Sequence, residues 1–287
     1  MSSSTSSILH LIGEGVAIYG GIFIVIMGVL GGLLNIIVFS SLKTFRESSC
    51  AFYLLIMSIA DIGQLLSGLL SRIMDSGYGI DWQITSLFYC KFRLAFWQWC
   101  TSMSYTCLCL ATIDQYLSTC NRFHWQQYSK IKIAHRLIVM FTILWSVHAI
   151  PYIVFSNHVL LSTGKTSCTL TNVNLMEYRY YFIILFLSGF LPDLITVIFG
   201  IMSYQNIQQI LRLTVPLVRR ELDKQLTKMV FIQVVINLFT NTPWIITNAI
   251  AYATSNVKKD RSFTDLMQFL YTLTLILFYT YFSVSRS

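Results

Sequence analysis

The chain has 287 residues, of which 55% are hydrophobic and 11% charged, against about 25% charged in an average soluble domain. With a mean hydropathy of +0.63, this composition excludes a soluble globular enzyme and a disordered protein together. The apolar stretches run unbroken for a helix length instead of alternating residue by residue, which also excludes an outer-membrane β-barrel.

A helix that crosses a bilayer takes about 20 apolar residues. Taken in chain order, apolar runs fall near 16–42, 51–72, 87–119, 134–155, 180–211, 226–253 and 264–284. The fold expected is all-α, a bundle of seven transmembrane helices. Residues 1–15 form a short extracellular N-terminus, 16–285 the membrane domain and 286–287 a cytoplasmic end. The opening MSSSTSSILH lacks the basic n-region of a cleaved signal, so the first run reads as a retained anchor.

Net charge is +8. The larger share of Lys and Arg lies after the first, third and fifth runs, at Lys43, Arg46, Arg122, Lys130, Arg219 and Arg220 among others. An anionic cytoplasmic leaflet accounts for this excess without a nucleic-acid partner, and the positive-inside rule puts the N-terminus outside and the C-terminus inside. No internal repeat is visible, which argues against a repeat-built transporter. The 5 histidines have neither metal-ligand spacing nor a nucleophile beside them, so no enzyme is expected.

Polar residues within the runs are informative, because an ionisable group at mid-bilayer costs about 2.5–3.5 kcal/mol on insertion scales. Asn35 stands in GGLLNIIVF, and Asp61 in LLIMSIADIGQLL. The third run begins at Cys90 and closes on Asp114-Gln115-Tyr116, 24 residues on. Trp145 and Pro151 mark the fourth run, Cys168 the loop after it, Pro192 the fifth and Pro243 the sixth. In this order and spacing, the sequence resembles the rhodopsin-like (class A) G-protein-coupled receptors along essentially its whole length.

The resemblance implies a plasma-membrane receptor that binds an extracellular ligand and signals through a heterotrimeric G protein. It also implies a Cys90–Cys168 disulfide, holding a loop over the bundle mouth. Alternation around Thr163-Gly164-Lys165 reads as a short β-hairpin with Cys168 on its returning arm. Asn35, Asp61 and Ser104 correspond to the family's allosteric sodium site, or to a polar network around a protonated Asp61; no other cofactor is implied. Asn241, Pro243 and Tyr279 stand for its switch. Here the family's CWxP reads Thr240-Asn241-Thr242-Pro243, and Leu275 to Tyr279 stand for NPxxY without its Asn or Pro.

Trp97, Gln98 and Thr101 of the third run, Trp244 and Asn248 of the sixth, and Asp265 and Phe269 of the seventh are expected to line a ligand cavity. Trp97 stands where amine receptors of the family hold their aspartate, and the seventh run has no lysine for retinal. The polar mouth fits a peptide, with a basic group for Asp265. Asp114, Gln115, Tyr116, Phe123 and Asp223 are expected to form the coupling face. Because Gln115 replaces the DRY arginine, raised basal activity with a low ceiling is expected. The alternative is a seven-helix decoy, scaffold or dimer partner that does not couple.

Overall fold

The computed structural model describes residues 11–120, 125, 127–160, 166–210, 217–254 and 261–284. Six helices among them are long and apolar enough to cross a membrane: Leu11–Ser41, Ser49–Tyr78, Ile131–Phe155, Val173–Gln208, Lys224–Ala253 and Ser262–Val284. They are numbered here the first, second, fourth, fifth, sixth and seventh spans. The third is Leu87–Thr119, whose 33 residues rise about 50 Å at 1.5 Å each. Its composition is more polar because of where it sits. It packs against the second, fourth, fifth and sixth spans, so Gln98, Ser102, Ser104, Thr112 and Gln115 are buried in protein and never meet lipid.

The outer faces show the reverse pattern. Phe23, Ile26, Leu30, Leu34 and Ile37 of the first span, and Val139, Ile143, Val147 and Ile150 of the fourth, are exposed. Each set recurs at three- and four-residue spacing, as a lipid-facing stripe requires. The protein is a multi-pass membrane protein. Its first helix is already formed at Leu11, upstream of the boundary expected at residue 16, because Leu11–Gly15 continue the helix ahead of the apolar run.

Local chemistry sets the span ends. The Ser86 hydroxyl accepts from Tyr89 N at 3.3 Å and starts the third span. Gly79, at φ 65°, ends the second, with its N–H on Asp75 O and that of Ile80 on Met74 O; this left-handed cap suits a residue without Cβ. Leu65–Leu70 of the second span are π-helical, which displaces carbonyls from the regular ladder. Arg93 answers them, donating from Nε to Ser67 O at 2.8 Å and from Nη2 to Gly68 O at 3.3 Å.

At this end of the bundle the strands β1 (Ser156–Leu160) and β2 (Thr166–Leu170) pair antiparallel, with His158 opposite Cys168. A disulfide joins Cys168 to Cys90 at the start of the third span. The hairpin is also held by a 2.6 Å hydrogen bond between His158 Nε2 and Gln83 O. Its turn, with Lys165, lies outside the described residues.

Candidate functional site

Beneath the hairpin end lies a cavity of ≈ 220 Å³ among the second, third, fifth, sixth and seventh spans. Of the residues expected at the ligand site, Trp97, Trp244 and Asn248 line it. Trp244 packs on Tyr271 and Phe278, with ring centroids 4.9 and 5.3 Å away. Asn248 Nδ2 donates to Trp244 O at 2.8 Å, near the backbone that Pro243 interrupts.

The other four expected residues do not line the cavity. Gln98 is buried and donates along its own helix to Ser102 Oγ at 3.2 Å. Thr101 donates to Trp97 O at 2.8 Å. Phe269 lies against Gly13 of the first span. Asp265 is half-buried and outside the lining. Helical spacing placed these residues on the right spans; only neighbouring helices determine which sector of each span faces inward.

Arg72, Arg93, Arg179, Tyr180, Tyr271 and Tyr279 complete the polar wall. Tyr279 requires a correction. Read as the NPxxY tyrosine, it belongs to the inner half of the seventh span. Instead its hydroxyl accepts from Trp97 Nε1 at 3.2 Å. Two residues further on, Tyr281 stacks on Tyr105 at 5.6 Å, next in sequence to the Ser104 that bonds Asp61. Tyr279 therefore sits on the hairpin side of the Asp61 level, and Leu275 lines the cavity with it. Without an Asn or Pro landmark, nothing in that run fixed the register of the alignment.

Gly68 makes this arrangement possible. A Cβ there would stand 2.8 Å from Trp97 Cδ1 and would collide with the Tyr279 hydroxyl. Gly68→Ala should therefore cost about 1–2 kcal/mol, the scale of modest overpacking. Thermal melting of the purified protein in detergent checks this; an unchanged melting temperature contradicts the close approach.

Deeper in the bundle, Ser104 Oγ donates to Asp61 Oδ1 at 2.5 Å, and both residues are fully buried. Asn35 is half-buried on the first span. Asn241, expected at the switch, points to the fifth span and donates to Ser188 O at 2.8 Å. One turn deeper, Asn237 Nδ2 donates to Asp193 Oδ1 at 2.6 Å. That fifth-to-sixth contact escaped sequence reasoning, although an acid inside an apolar run was signal enough.

At the far end, Gln115 is buried and its Oε1 accepts from Thr227 Oγ1 at 2.7 Å, joining the third span to the sixth. Asp114 is buried beside it, and Tyr116 packs on Phe199 of the fifth span at 5.4 Å. Phe123 and the side chain of Asp223 lie outside the described residues. Lys224 and Lys228 are exposed.

No curated protein sequence matches the chain. The family model of the 7 transmembrane receptor (rhodopsin family) matches residues 31–282, which includes the Asp61–Ser104 pair, the disulfide, the last third of the first span and nearly all of the other six. The chain belongs to the rhodopsin family of seven-transmembrane receptors.

Proposed function

We propose that the chain is a plasma-membrane receptor that binds an extracellular peptide beneath its hairpin and signals through a heterotrimeric G protein at the opposite end. The observation that carries this reading is the pairing of two features in one bundle. A polar, aromatic cavity lies at the disulfide-bonded end, and a buried hydrogen bond joins the third span to the sixth toward the other. A volume of ≈ 220 Å³ is below the ~300–1,000 Å³ of pockets that enclose drug-sized ligands. It suits one side chain or terminus of a peptide whose remainder rests against the hairpin. The coupling residues of this reading are Asp114, Gln115 and Tyr116, together with the sequence-assigned Phe123 and Asp223.

The test is expression in cells, exposed to a peptide library and followed by G-protein and arrestin readouts, with surface labelling of an N-terminal tag on intact cells. A peptide that binds and drives G-protein dissociation supports the proposal. Binding with neither readout favours the second reading, a non-coupling decoy, scaffold or dimer partner. The specific observation for that alternative is the neutral Gln115 where the family holds arginine.

Asp61 and Ser104 present carboxylate and hydroxyl oxygens, the donor type that suits a hard cation, and we place an allosteric sodium ion at that pair. Equal concentrations of sodium and choline chloride should then give melting temperatures about 2–4 °C apart, sodium the higher, as roughly 1 kcal/mol of binding linkage implies. The difference should vanish in Asp61→Asn. Equal melting in both salts rejects the ion and leaves a purely hydrogen-bonded network.

A further inference from the structure

The charges on the cavity wall have one sign. Arg72, Arg93 and Arg179 line it, and no carboxylate among the described residues does. All three guanidiniums lie close enough to Tyr271 for their charges to act on its hydroxyl. Asp75 feels the charges of Arg72 and Arg93, but it is exposed at the end of the second span and outside the lining.

The three are not equivalent. Arg93 is committed to the fold through Ser67 O, Gly68 O and a 2.6 Å bond from Nη1 to Gln83 Oε1. Arg72 and Arg179 instead lie over aromatic rings, each guanidinium carbon 5.5 Å from the centroid of Tyr271 and Trp97 respectively. The Nε of Arg179 is buried and has no hydrogen-bond partner among the described residues. A buried donor on a charged group left unsatisfied is costly, and a guanidinium fork matches a planar carboxylate in geometry as well as charge.

We propose that the cavity recognises a carboxylate on its ligand, held by Arg179 and Arg72, with an apolar or aromatic body against Trp97, Trp244 and Tyr271. Arg93 contributes to the positive field while it braces the π-helical stretch of the second span. The inference rests on the receptor reading above and gives that site its ligand chemistry. It is opposite in sign to a basic group on Asp265, which stands outside the cavity wall. The carboxylate has two natural sources, a small organic acid or the free C-terminus of a peptide.

The test uses the full chain, purified in detergent at fixed ionic strength, with binding followed by thermal stabilisation and tryptophan fluorescence. The probes are 2-naphthoate against 2-naphthamide and 2-naphthylmethylammonium, and acetyl-Leu-Phe as free acid against its amide. Each acid should bind at least tenfold more tightly than its amide, the scale of a charge-assisted contact. Arg179→Gln and Arg72→Gln should each lose about tenfold for the acids and leave the amides unchanged.

A peptide acid that outbinds naphthoate identifies a C-terminus; the reverse order identifies a small acid. Acids that bind no better than amides, or no probe binding at all, overturn the proposal on the unmodified protein, whatever the variants do. Preference for the ammonium probe overturns it too and leaves the receptor reading standing. Selective acid binding with no signalling from any bound probe in cells supports the carboxylate site and fails the coupling reading instead.

Discussion

Replacing Thr227 by valine is expected to raise basal signalling about fivefold at matched surface expression. Thr227 Oγ1 donates to Gln115 Oε1 at 2.7 Å, with both residues buried. Valine keeps the volume and removes the donor, leaving a buried amide oxygen unsatisfied. A contact of this kind contributes about 1 kcal/mol, and the closed arrangement loses that much against one with the sixth span moved away. Gln115 therefore has a partner, a neutral one, where loss of the DRY arginine led to the expectation of a loosely held state. Gln115→Arg should do more than unlock. It places a permanent charge beside buried Asp114, which adds a charged contact within the bundle and a charged arm for the G protein. Basal output should fall toward zero while the ligand-driven maximum rises, by about tenfold if one charge-assisted contact is gained. A G-protein dissociation assay on the three proteins makes the comparison. If Thr227→Val leaves basal output unchanged in a protein that responds to ligand, the hydrogen bond is not the restraint.

Substitution Asn237→Leu should lower stability by about 3 kcal/mol. Asn237 is fully buried and supplies a 2.6 Å hydrogen bond to the Asp193 carboxyl from the sixth span to the fifth. Leucine is close to asparagine in size, so the loss is one of polar satisfaction more than packing. A carboxyl left without its donor within a membrane span bears a penalty larger than the net gain of making the bond. Asp193→Asn keeps an oxygen in place and should cost under about 1 kcal/mol. The double change to leucine at both positions should recover most of the stability, because neither side then leaves a stranded polar group. Melting of wild type, Asn237→Leu, Asp193→Leu and the double leucine variant in one detergent gives the full cycle, with Asp193→Asn beside it. Additive losses in the double variant would show that the two side chains act independently.

Both predictions concern contacts between spans, and this is where sequence reasoning ran out. The number of spans was legible, since an unbroken apolar run of helix length has few other uses. The third span was legible as well, although it is too polar to pass as a lipid-facing helix, because Cys90 and Asp114-Gln115-Tyr116 bracket it. The disulfide followed from the same ordered landmarks and the hairpin from local alternation, and the structure joins Cys90 to Cys168 of that hairpin. Tyr279 shows the limit. With no proline or asparagine to anchor the seventh run, choosing one tyrosine near its end put the alignment out of step and moved a cavity residue to the wrong half of the membrane.

Taken alone, the sequence determined the membrane fold, the seven crossings and the family, because these depend on hydropathy and on landmark spacing along one chain. The tertiary structure decided which sector of each helix faces its neighbours. Helical spacing repeats every 3.6 residues, so Trp97, Gln98 and Thr101 are equally plausible cavity residues in one dimension. Only Trp97 is turned to the cavity, because the second and seventh spans crowd against it at Gly68 and Tyr279. The charge of the site was decided in the same way. Arg179 and Arg72 are far apart in sequence, and a π-helical stretch in each span alters the angular register that regular helices would give. Their convergence on one wall, away from Asp265, is a property of packing that no local pattern encodes.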